Sequence, residues 1–208
     1  MDRHPLVAAR DRAAVVLLDL QAGPLMDKLP DRDGLLAAAA KLARVAGLLK
    51  IPVLVTEQNP KALGATHPAL REALPEYRPI GKMSFSAFGE EALPKAIQAT
   101  GRTHLVVGGI MSHICVCQTV LDALHRGYIV HLAADAVSCW KRSDHEAGLE
   151  TMRKAGASIE SAEVAIYEWL ERAGARRIVS SDSVRHSTNA AQLAPMLAEA
   201  VRRMIEGR

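Results

Sequence analysis

The chain has 208 residues, 49% of them hydrophobic and 24% charged, so it is long enough for one globular domain and is not a disordered or low-complexity chain. Its 26 basic and 23 acidic residues give a net charge of +3, and aromatic residues make up 3%. Nucleic-acid binding normally needs a strong basic excess or stacking aromatics, so we expect no nucleic-acid partner.

The cysteine count and the first residues bear on the compartment. Three cysteines, an odd number, do not form a disulfide framework, so a reducing environment is expected. Charges are scattered over residues 1–12, where a signal peptide would need an apolar run of about 7 to 15 residues. The longest stretch without an acidic or basic residue, 103–121, is interrupted by histidines and glycines, so no membrane span is expected. These features favour a cytoplasmic protein.

Short apolar runs alternate along the chain with longer segments of helical period. We expect strands over residues 14–20, 51–56, 104–108 and 128–133, and a weaker one near 158–165. Near-continuous apolar strands are typical of parallel sheets that are covered on both faces. The pattern therefore predicts an α/β protein with a three-layer Rossmann-like fold, in which helices flank a mainly parallel sheet of five or six strands.

The helices expected between these strands can be placed by period and by capping residues. Residues 34–49 and 115–126 have apolar positions at helical spacing, and Ser143 with Glu146 forms a capping-box pattern that predicts a third helix. Four prolines between residues 58 and 83 predict a long surface excursion. We expect a single domain over 1–208 with a C-terminal helical extension over about 188–206.

Three residues are candidates for chemistry. Asp19 follows the first strand and Cys115 lies at a strand-to-helix turn, where a helix N-terminus would favour a thiolate. Lys82 precedes a Ser-Phe-Ser-Ala-Phe segment. Taken singly, an aspartate can cap a loop, a cysteine can fill a core and a lysine can lie in solvent. Together they could supply a proton acceptor, a nucleophile and a cation.

Metal and cofactor sites have weaker support. The histidines at 104, 125, 131, 145 and 186 lack ligand spacing, and the Cys115-x-Cys117 pair is too weak a metal motif, so we expect no metal. Gly108-Gly109 lacks the remainder of a dinucleotide fingerprint, so we expect no cofactor either.

Two longer segments resemble the isochorismatase-like cysteine hydrolases. Residues 106–116 (VVGGIMSHICV), followed by Thr119, Asp122 and Ala123, resemble the nucleophile turn and helix of that family. The pattern from Lys82 to Ser86-Ala87-Phe88 resembles a second family motif. Residues 55–70 and 134–138 are most similar to the subgroup of isochorismatase domain-containing proteins.

The resemblance implies roles for particular residues. It implies a catalytic triad of Asp19, Lys82 and Cys115. It also implies a cis peptide between Ile110 and Met111, which would let backbone N–H groups of Met111 and Cys115 face an oxyanion.

The same turn and the neighbouring motif suggest a substrate pocket. We expect the pocket to be formed by Gln21, Phe85, Met111 and His113. The resemblance further implies a homo-oligomer, a dimer or tetramer, that acts on a small molecule.

The expected function is that of a cysteine hydrolase. Residues 56–60 read TEQNP and lack the Asp-x-His metal motif of nicotinamidases in this family. The expected reaction is cleavage of a C–N bond in a small amide-like substrate through a thioester on Cys115. Two alternatives stay open: a catalytically silent binding or scaffold protein of the same fold, and a true isochorismatase that hydrolyses a vinyl ether.

Overall fold

A computed structural model describes residues 3–171, and within them six strands form one sheet in the order β3-β2-β1-β4-β5-β6. The strands are β1 (Ala13–Leu18), β2 (Val53–Gln58), β3 (Ile80–Lys82), β4 (His104–Ile110), β5 (Ile129–Ser138) and β6 (Ser158–Glu160). Every neighbouring pair is parallel. The predicted α/β Rossmann-like fold with a mainly parallel sheet of five or six strands is confirmed, and the described sheet has six.

Helices connect the strands. They are α1 (Pro24–Asp27), α2 (Arg32–Leu48), α3 (Pro60–Leu63), α4 (Pro68–Arg71), α5 (Ala92–Thr100), α6 (Cys117–His125), α7 (Arg142–Lys154) and α8 (Ala162–Leu170). A 3₁₀ turn covers Ala87–Gly89 and a π-helical turn covers Ser112–Val116. Among residues 3–171, no helix has the length and apolar character to cross a membrane.

The sheet separates two apolar layers, and β1 shows how. All six residues of β1 are buried. Val15 and Leu17 belong to the layer that includes α2 and α8, whereas Val16 and Leu18 belong to the layer of α5, α6 and α7. Successive side chains of a strand point to opposite faces, so a continuous apolar run serves both layers.

Several predicted boundaries are wrong by a few residues. β1 ends at Leu18 rather than at residue 20. The predicted weak strand near 158–165 divides into β6 and the start of α8, whose N-cap is Ser161. The predicted capping box is also wrong: α7 starts at Arg142, and Glu146 pairs with the Arg142 guanidinium at 2.7 Å.

The segment between β2 and α5 contains more regular secondary structure than expected from its four prolines. It contains α3, α4 and the edge strand β3, which pairs with β2 in a register that sets Lys82 beside Gln58. A three-residue strand is too short to give a recognisable sequence period. The helix predicted at 188–206 lies outside the described residues.

Candidate active site

Four neighbouring strands bring polar residues together at their carboxyl ends. Asp19 follows β1, Lys82 ends β3, and Cys115 lies in the π turn that follows β4. The Lys82 Nζ atom is 2.8 Å from Oδ2 of Asp19, and both side chains are at least 95% buried. Ligand sites in open parallel sheets lie at this edge, so the position of the ion pair is that of a functional site.

The Asp19 carboxylate is held by β2 as well as by Lys82. The Thr56 hydroxyl donates to Oδ1 of Asp19 at 2.6 Å, and the Asp19 N–H donates to the Thr56 carbonyl at 3.1 Å. Asp19 has a φ of 57°, in the left-handed region that aspartate tolerates better than most residues. These contacts fix one carboxylate orientation at the end of β1.

The Lys82 ammonium is surrounded by oxygen atoms. In addition to its ion pair with Asp19, it donates to Oε1 of Gln58 at 2.5 Å and to the carbonyls of Ser84 and Phe85 at 3.1 and 3.2 Å. Gln58 lies opposite Lys82 in the β2–β3 register, which explains the first of these bonds. The lysine is therefore a buried, fully coordinated cation.

The segment that follows Lys82 is fastened to α6. The Ser86 hydroxyl donates to Oδ2 of Asp122 at 2.5 Å, and the N–H of Ala87 donates to the Thr119 hydroxyl at 3.0 Å. The two motifs singled out in the sequence thus contact each other. Their contact sets the position of Lys82 relative to the helix that follows Cys115.

Close backbone packing positions the turn that carries Cys115. Gly109 has a φ of 135°, and a Cβ there would lie 2.2 Å from the Leu18 carbonyl oxygen. On the other side of the turn, a Cβ at Gly148 of α7 would lie 2.9 Å from Cα of His113. The peptide bond between Ile110 and Met111 is cis. Glycine at 109 and 148 lets β1 and α7 approach the turn closely.

The Cys115 thiol is protonated at neutral pH. Burial, and next the negative charge of Asp19, raise its pKa to about 11, although the Lys82 ammonium acts in the opposite direction. The expectation that a helix N-terminus favours a thiolate at Cys115 is therefore wrong, because the cost of burying the charged form dominates. Deprotonation of Cys115 therefore requires a base.

A cavity of about 240 Å³ adjoins the thiol. It is lined by Asp19, Gln21, Ala22, Gly23, Pro24, Leu25, Gln58, Ala62, Leu63, Ile110, Met111 and Cys115. A dry cavity of about 150 Å³ holds benzene, so this volume suits a small organic molecule. The cavity, the buried ion pair and the thiol together have the parts needed for nucleophilic chemistry on a small substrate.

Residues 13–164 match the family model of the isochorismatase domain. The chain belongs to the isochorismatase family. Isochorismatase domain-containing protein 2A of Mus musculus is 37% identical over 137 residues, which cover 64% of each chain. Isochorismatase family protein 1B of Dictyostelium discoideum is 32% identical over 162 residues, 76% of this chain and 78% of its own. The chain spans just under two thirds of the mouse relative's length.

Solved structures agree with this isochorismatase fold. A Caenorhabditis elegans protein described as MAR1 ribonuclease has a TM-score of 0.74 and 28% identity, covering 91% of both chains. The Escherichia coli YcaC gene product, described as an octameric hydrolase of unknown specificity, has a TM-score of 0.77 and 21% identity. It covers 99% of this chain and 98% of its own, and at that identity it shows the fold alone. Family membership therefore supports a hydrolase-like fold.

Two of the four predicted pocket residues lie on the cavity wall of this isochorismatase domain. Gln21 and Met111 line it. Phe85 is 56% exposed and is not among the lining residues, although its carbonyl accepts a hydrogen bond from Lys82. His113 is also not among them: its Nε2 atom lies 4.0 Å from the Asp144 carboxylate. The structure thus places Phe85 and His113 outside the cavity wall.

Sequence reasoning missed the support that β2 gives to the site. Thr56 and Gln58 bond to Asp19 and Lys82 respectively, and Gln58 also lines the cavity. The sequence does contain a signal for these contacts, namely the polar residues Thr56 and Gln58 at the end of the apolar run of β2. Their partners depend on the pairing of β2 with β3, which the sequence did not reveal.

A second buried polar cluster lies near the amino-terminal ends of β4 and β5. Nδ1 of His104 is 3.1 Å from Nε2 of His131, and Nδ1 of His131 is 3.3 Å from a Glu160 oxygen. Glu168 of α8 lies close enough for its carboxylate to form a compact group with His131 and Glu160. His104 and His131 lack ligand spacing in the sequence, yet the pairing of β4 with β5 brings them into contact.

Proposed function

We propose that this protein is a cysteine hydrolase that cleaves the C–N bond of a small amide-like substrate. The observation that carries the proposal is the position of Cys115 on a cavity wall that it shares with Asp19, whose carboxylate is paired with the buried Lys82. A nucleophile and a base on one cavity wall, with a buried cation paired to the base, are the parts that acyl transfer needs.

In the first half of the reaction, the Cys115 sulfur attacks the amide carbonyl carbon and a C–S bond forms. Asp19 accepts the thiol proton and passes it to the amide nitrogen, so the C–N bond breaks and a neutral amine or ammonia leaves. The backbone N–H groups of Met111 and Cys115 stabilise the oxyanion of the tetrahedral intermediate. Lys82 pairs with the Asp19 carboxylate and orients it.

In the second half, water attacks the carbonyl carbon of the thioester. Asp19 accepts a proton from the water and returns it to the departing Cys115 sulfur as the C–S bond breaks. A carboxylic acid is released and the thiol is restored. The raised pKa of Cys115 supports this role for Asp19, because a thiol with a pKa of about 11 needs a base at the moment of attack.

The two alternative functions account for less of the structure. A silent scaffold has no need for the buried Asp19–Lys82 pair beside a thiol. A buried ion pair adds little to stability, so stability alone does not account for this arrangement. Hydrolysis of a vinyl ether needs proton transfer and no thiol, so it leaves the position of Cys115 on the cavity wall without a role.

The test is ammonia release from a panel of small primary amides by the wild-type chain and by the Cys115→Ala variant. Cys117→Ala is the matched control, because Cys117 is buried in the apolar layer on the other side of the turn. We expect wild type and Cys117→Ala to release ammonia and Cys115→Ala to release none above background. Release by Cys115→Ala at the wild-type rate would overturn the cysteine mechanism.

A further inference from the structure

The walls of the cavity are mostly hydrocarbon. The apolar side chains come from three places: α1 and the residues before it, the end of α3, and the cis peptide after β4. They are Ala22, Pro24, Leu25, Ala62, Leu63, Ile110 and Met111. The polar lining residues are Asp19, Gln21, Gln58 and Cys115. Whether a polar substituent on the substrate can be recognised depends on whether these four have free hydrogen-bonding groups.

The Gln21 amide is engaged with the backbone. Its Nε2 group donates to the carbonyls of Gln58 and Gly64 at 3.0 and 2.6 Å, which uses both hydrogens. Its Oε1 atom accepts from the N–H of Gln58 at 2.8 Å. Gln21 therefore ties β2 and the segment after α3 to the end of β1, and both of its hydrogens are already in use when a substrate arrives.

The charged groups are engaged as well. The three hydrogens of the Lys82 ammonium have three oxygen acceptors within 3.2 Å, and its charge is paired with the Asp19 carboxylate at 2.8 Å. Oδ1 of Asp19 accepts from the Thr56 hydroxyl. Gln58 accepts from Lys82 and donates to the Met83 carbonyl at 2.8 Å. Among the described lining residues, none is an arginine, lysine or histidine. A carboxylate on the substrate would therefore meet hydrocarbon and the Asp19 negative charge.

We propose that the substrates of this site are small uncharged primary amides whose acyl group is a hydrocarbon chain or ring. The inference rests on the proposed amide hydrolysis and narrows its substrate class. A charge buried against apolar walls without a partner is strongly disfavoured, whereas a hydrocarbon acyl group gains from burial. The volume of the cavity limits the substrate to roughly eight to ten non-hydrogen atoms.

A matched pair of amides tests the class through turnover. 3-Methylbutanamide and malonamate have the same shape, with an isopropyl group in the first where the second has a carboxylate. We expect kcat/KM for 3-methylbutanamide to exceed that for malonamate by roughly 100-fold or more, since the carboxylate finds no cation. Equal values, or a preference for malonamate, would overturn the proposed class while leaving amide hydrolysis standing.

A second pair tests the class without turnover. Iodoacetamide and iodoacetate both alkylate thiols and differ in charge, so the ratio of their rates at Cys115, divided by the ratio for a small free thiol, reports access to the cavity. We expect a corrected ratio of at least about tenfold in favour of iodoacetamide. If neither amide is hydrolysed but this preference holds, the proposed amide hydrolysis fails, whereas the preference of the cavity for uncharged molecules stands. A corrected ratio near one, or no alkylation of Cys115 by either reagent, overturns the class.

A lysine introduced on the cavity wall should shift the substrate preference in the opposite direction, toward the charged amide. Leu63 at the end of α3 is half-buried, so a lysine there can place its ammonium at the cavity without a full burial cost. We expect Leu63→Lys to shift the ratio of kcat/KM for malonamate to kcat/KM for 3-methylbutanamide by at least about tenfold toward malonamate. The corrected alkylation ratio should shift by as much toward iodoacetate. Leu63→Met, which keeps a hydrocarbon wall, is the matched control and should leave both ratios within about twofold. Equal ratios in the two variants would contradict the wall's role in specificity.

Discussion

The two ends of the sheet each hold a cluster of buried polar side chains, and the clusters differ in what they adjoin. At the carboxyl end, Asp19 and Cys115 line a cavity. Near the amino end, His104 and His131 are 1% and 0% exposed and contact each other across β4 and β5. Both clusters bury groups that prefer water, but only the first places such groups beside a thiol on a cavity wall.

The amino-end cluster has a structural role that its contacts make clear. His131 bonds to Glu160 of β6, and the neighbouring Glu168 of α8 accepts a hydrogen bond from the N–H of Ala8 at 2.7 Å. The cluster therefore links β4, β5 and β6, and beside it Glu168 ties α8 to the residues that precede β1. Substitution of the polar groups on the cavity wall should change turnover, whereas substitutions in the amino-end cluster should change stability and leave turnover unchanged.

The largest effect is expected from Asp19→Asn, which removes the proposed base. Loss of a general base typically costs 10² to 10⁴ in rate, so kcat for amide hydrolysis should fall by about that factor. The same change should lower the pKa of Cys115, because the Asp19 charge raises it, and so should speed iodoacetamide alkylation at pH 8.

Slower turnover with faster alkylation distinguishes loss of a base from loss of the fold. Asp33→Asn on the exposed surface of α2 is the matched control and should change neither rate. If Asp19→Asn kept the wild-type kcat, the proposed base would be wrong.

The next effect is on stability. Lys82→Met leaves the Asp19 carboxylate buried without its cation, and breaking a buried pair in this way typically costs about 3–5 kcal/mol of unfolding free energy. The double variant Asp19→Asn/Lys82→Met removes both charges and should recover part of that loss. Urea denaturation of the wild type, Lys82→Met and the double variant measures their free energies of unfolding. A double variant no more stable than Lys82→Met would show that the destabilisation does not come from the uncompensated charge.

The amino-end cluster should make the fold sensitive to acid. Burial lowers the pKa of His104 to about 4, so between pH 6.5 and about 4 the unfolded chain binds more protons at this residue than the folded chain does. The contribution of His104 is therefore fully present above pH 6.5 and is lost as the pH falls toward 4, by no more than about 3 kcal/mol.

Urea denaturation at pH 7.5 and 4.5, on wild type and on His104→Gln, isolates this contribution from that of the carboxylates. We expect the loss on acidification to be smaller in the variant, with kcat per folded molecule unchanged at pH 7.5. An equal loss in both proteins would contradict a neutral, buried His104.

The smallest effect concerns Glu57, a carboxylate at the carboxyl end of the sheet that does not line the cavity. Oε1 of Glu57 accepts hydrogen bonds from the N–H and hydroxyl of Thr66 and, at 2.6 Å, from the hydroxyl of Tyr77. Tyr77→Phe should lower the unfolding free energy by about 1 kcal/mol and leave kcat unchanged. Tyr128→Phe is the control, because Tyr128 packs on Phe88 through its ring. A large fall in kcat for Tyr77→Phe would contradict the expectation that Asp19, which lines the cavity, acts in turnover and that Glu57, which does not, has no part in it.

Much of this arrangement follows from local pattern. Continuous apolar runs located β1, β2, β4 and β5 because strands covered on both faces have no polar period. The place of Asp19 after a strand and of Lys82 before a sequence motif indicates both residues, and in the structure the Lys82 Nζ atom is 2.8 Å from Oδ2 of Asp19. Those features depend on residues close together in the sequence.

The remaining features depend on pairing across the sheet. β3 is three residues long, so the Gln58–Lys82 bond could not be foreseen. The contact between His104 and His131 joins two strands whose neighbouring positions emerge only in the fold. The protonation of Cys115 depends on burial, which a helix N-terminus in the sequence does not report. Local sequence pattern therefore indicates candidate residues, whereas packing between distant segments determines their hydrogen-bond partners and protonation.

The most direct test of the account is to trap the acyl enzyme. Trypsin releases residues 103–126 as one peptide, and in the Cys117→Ala variant its single thiol is Cys115. During hydrolysis of 3-methylbutanamide, acid quenching and mass spectrometry should find this peptide carrying the 3-methylbutanoyl group. Cys115→Ala should give no labelled peptide. Formation of the carboxylic acid with no label on this peptide at any time during turnover would contradict a thioester on Cys115.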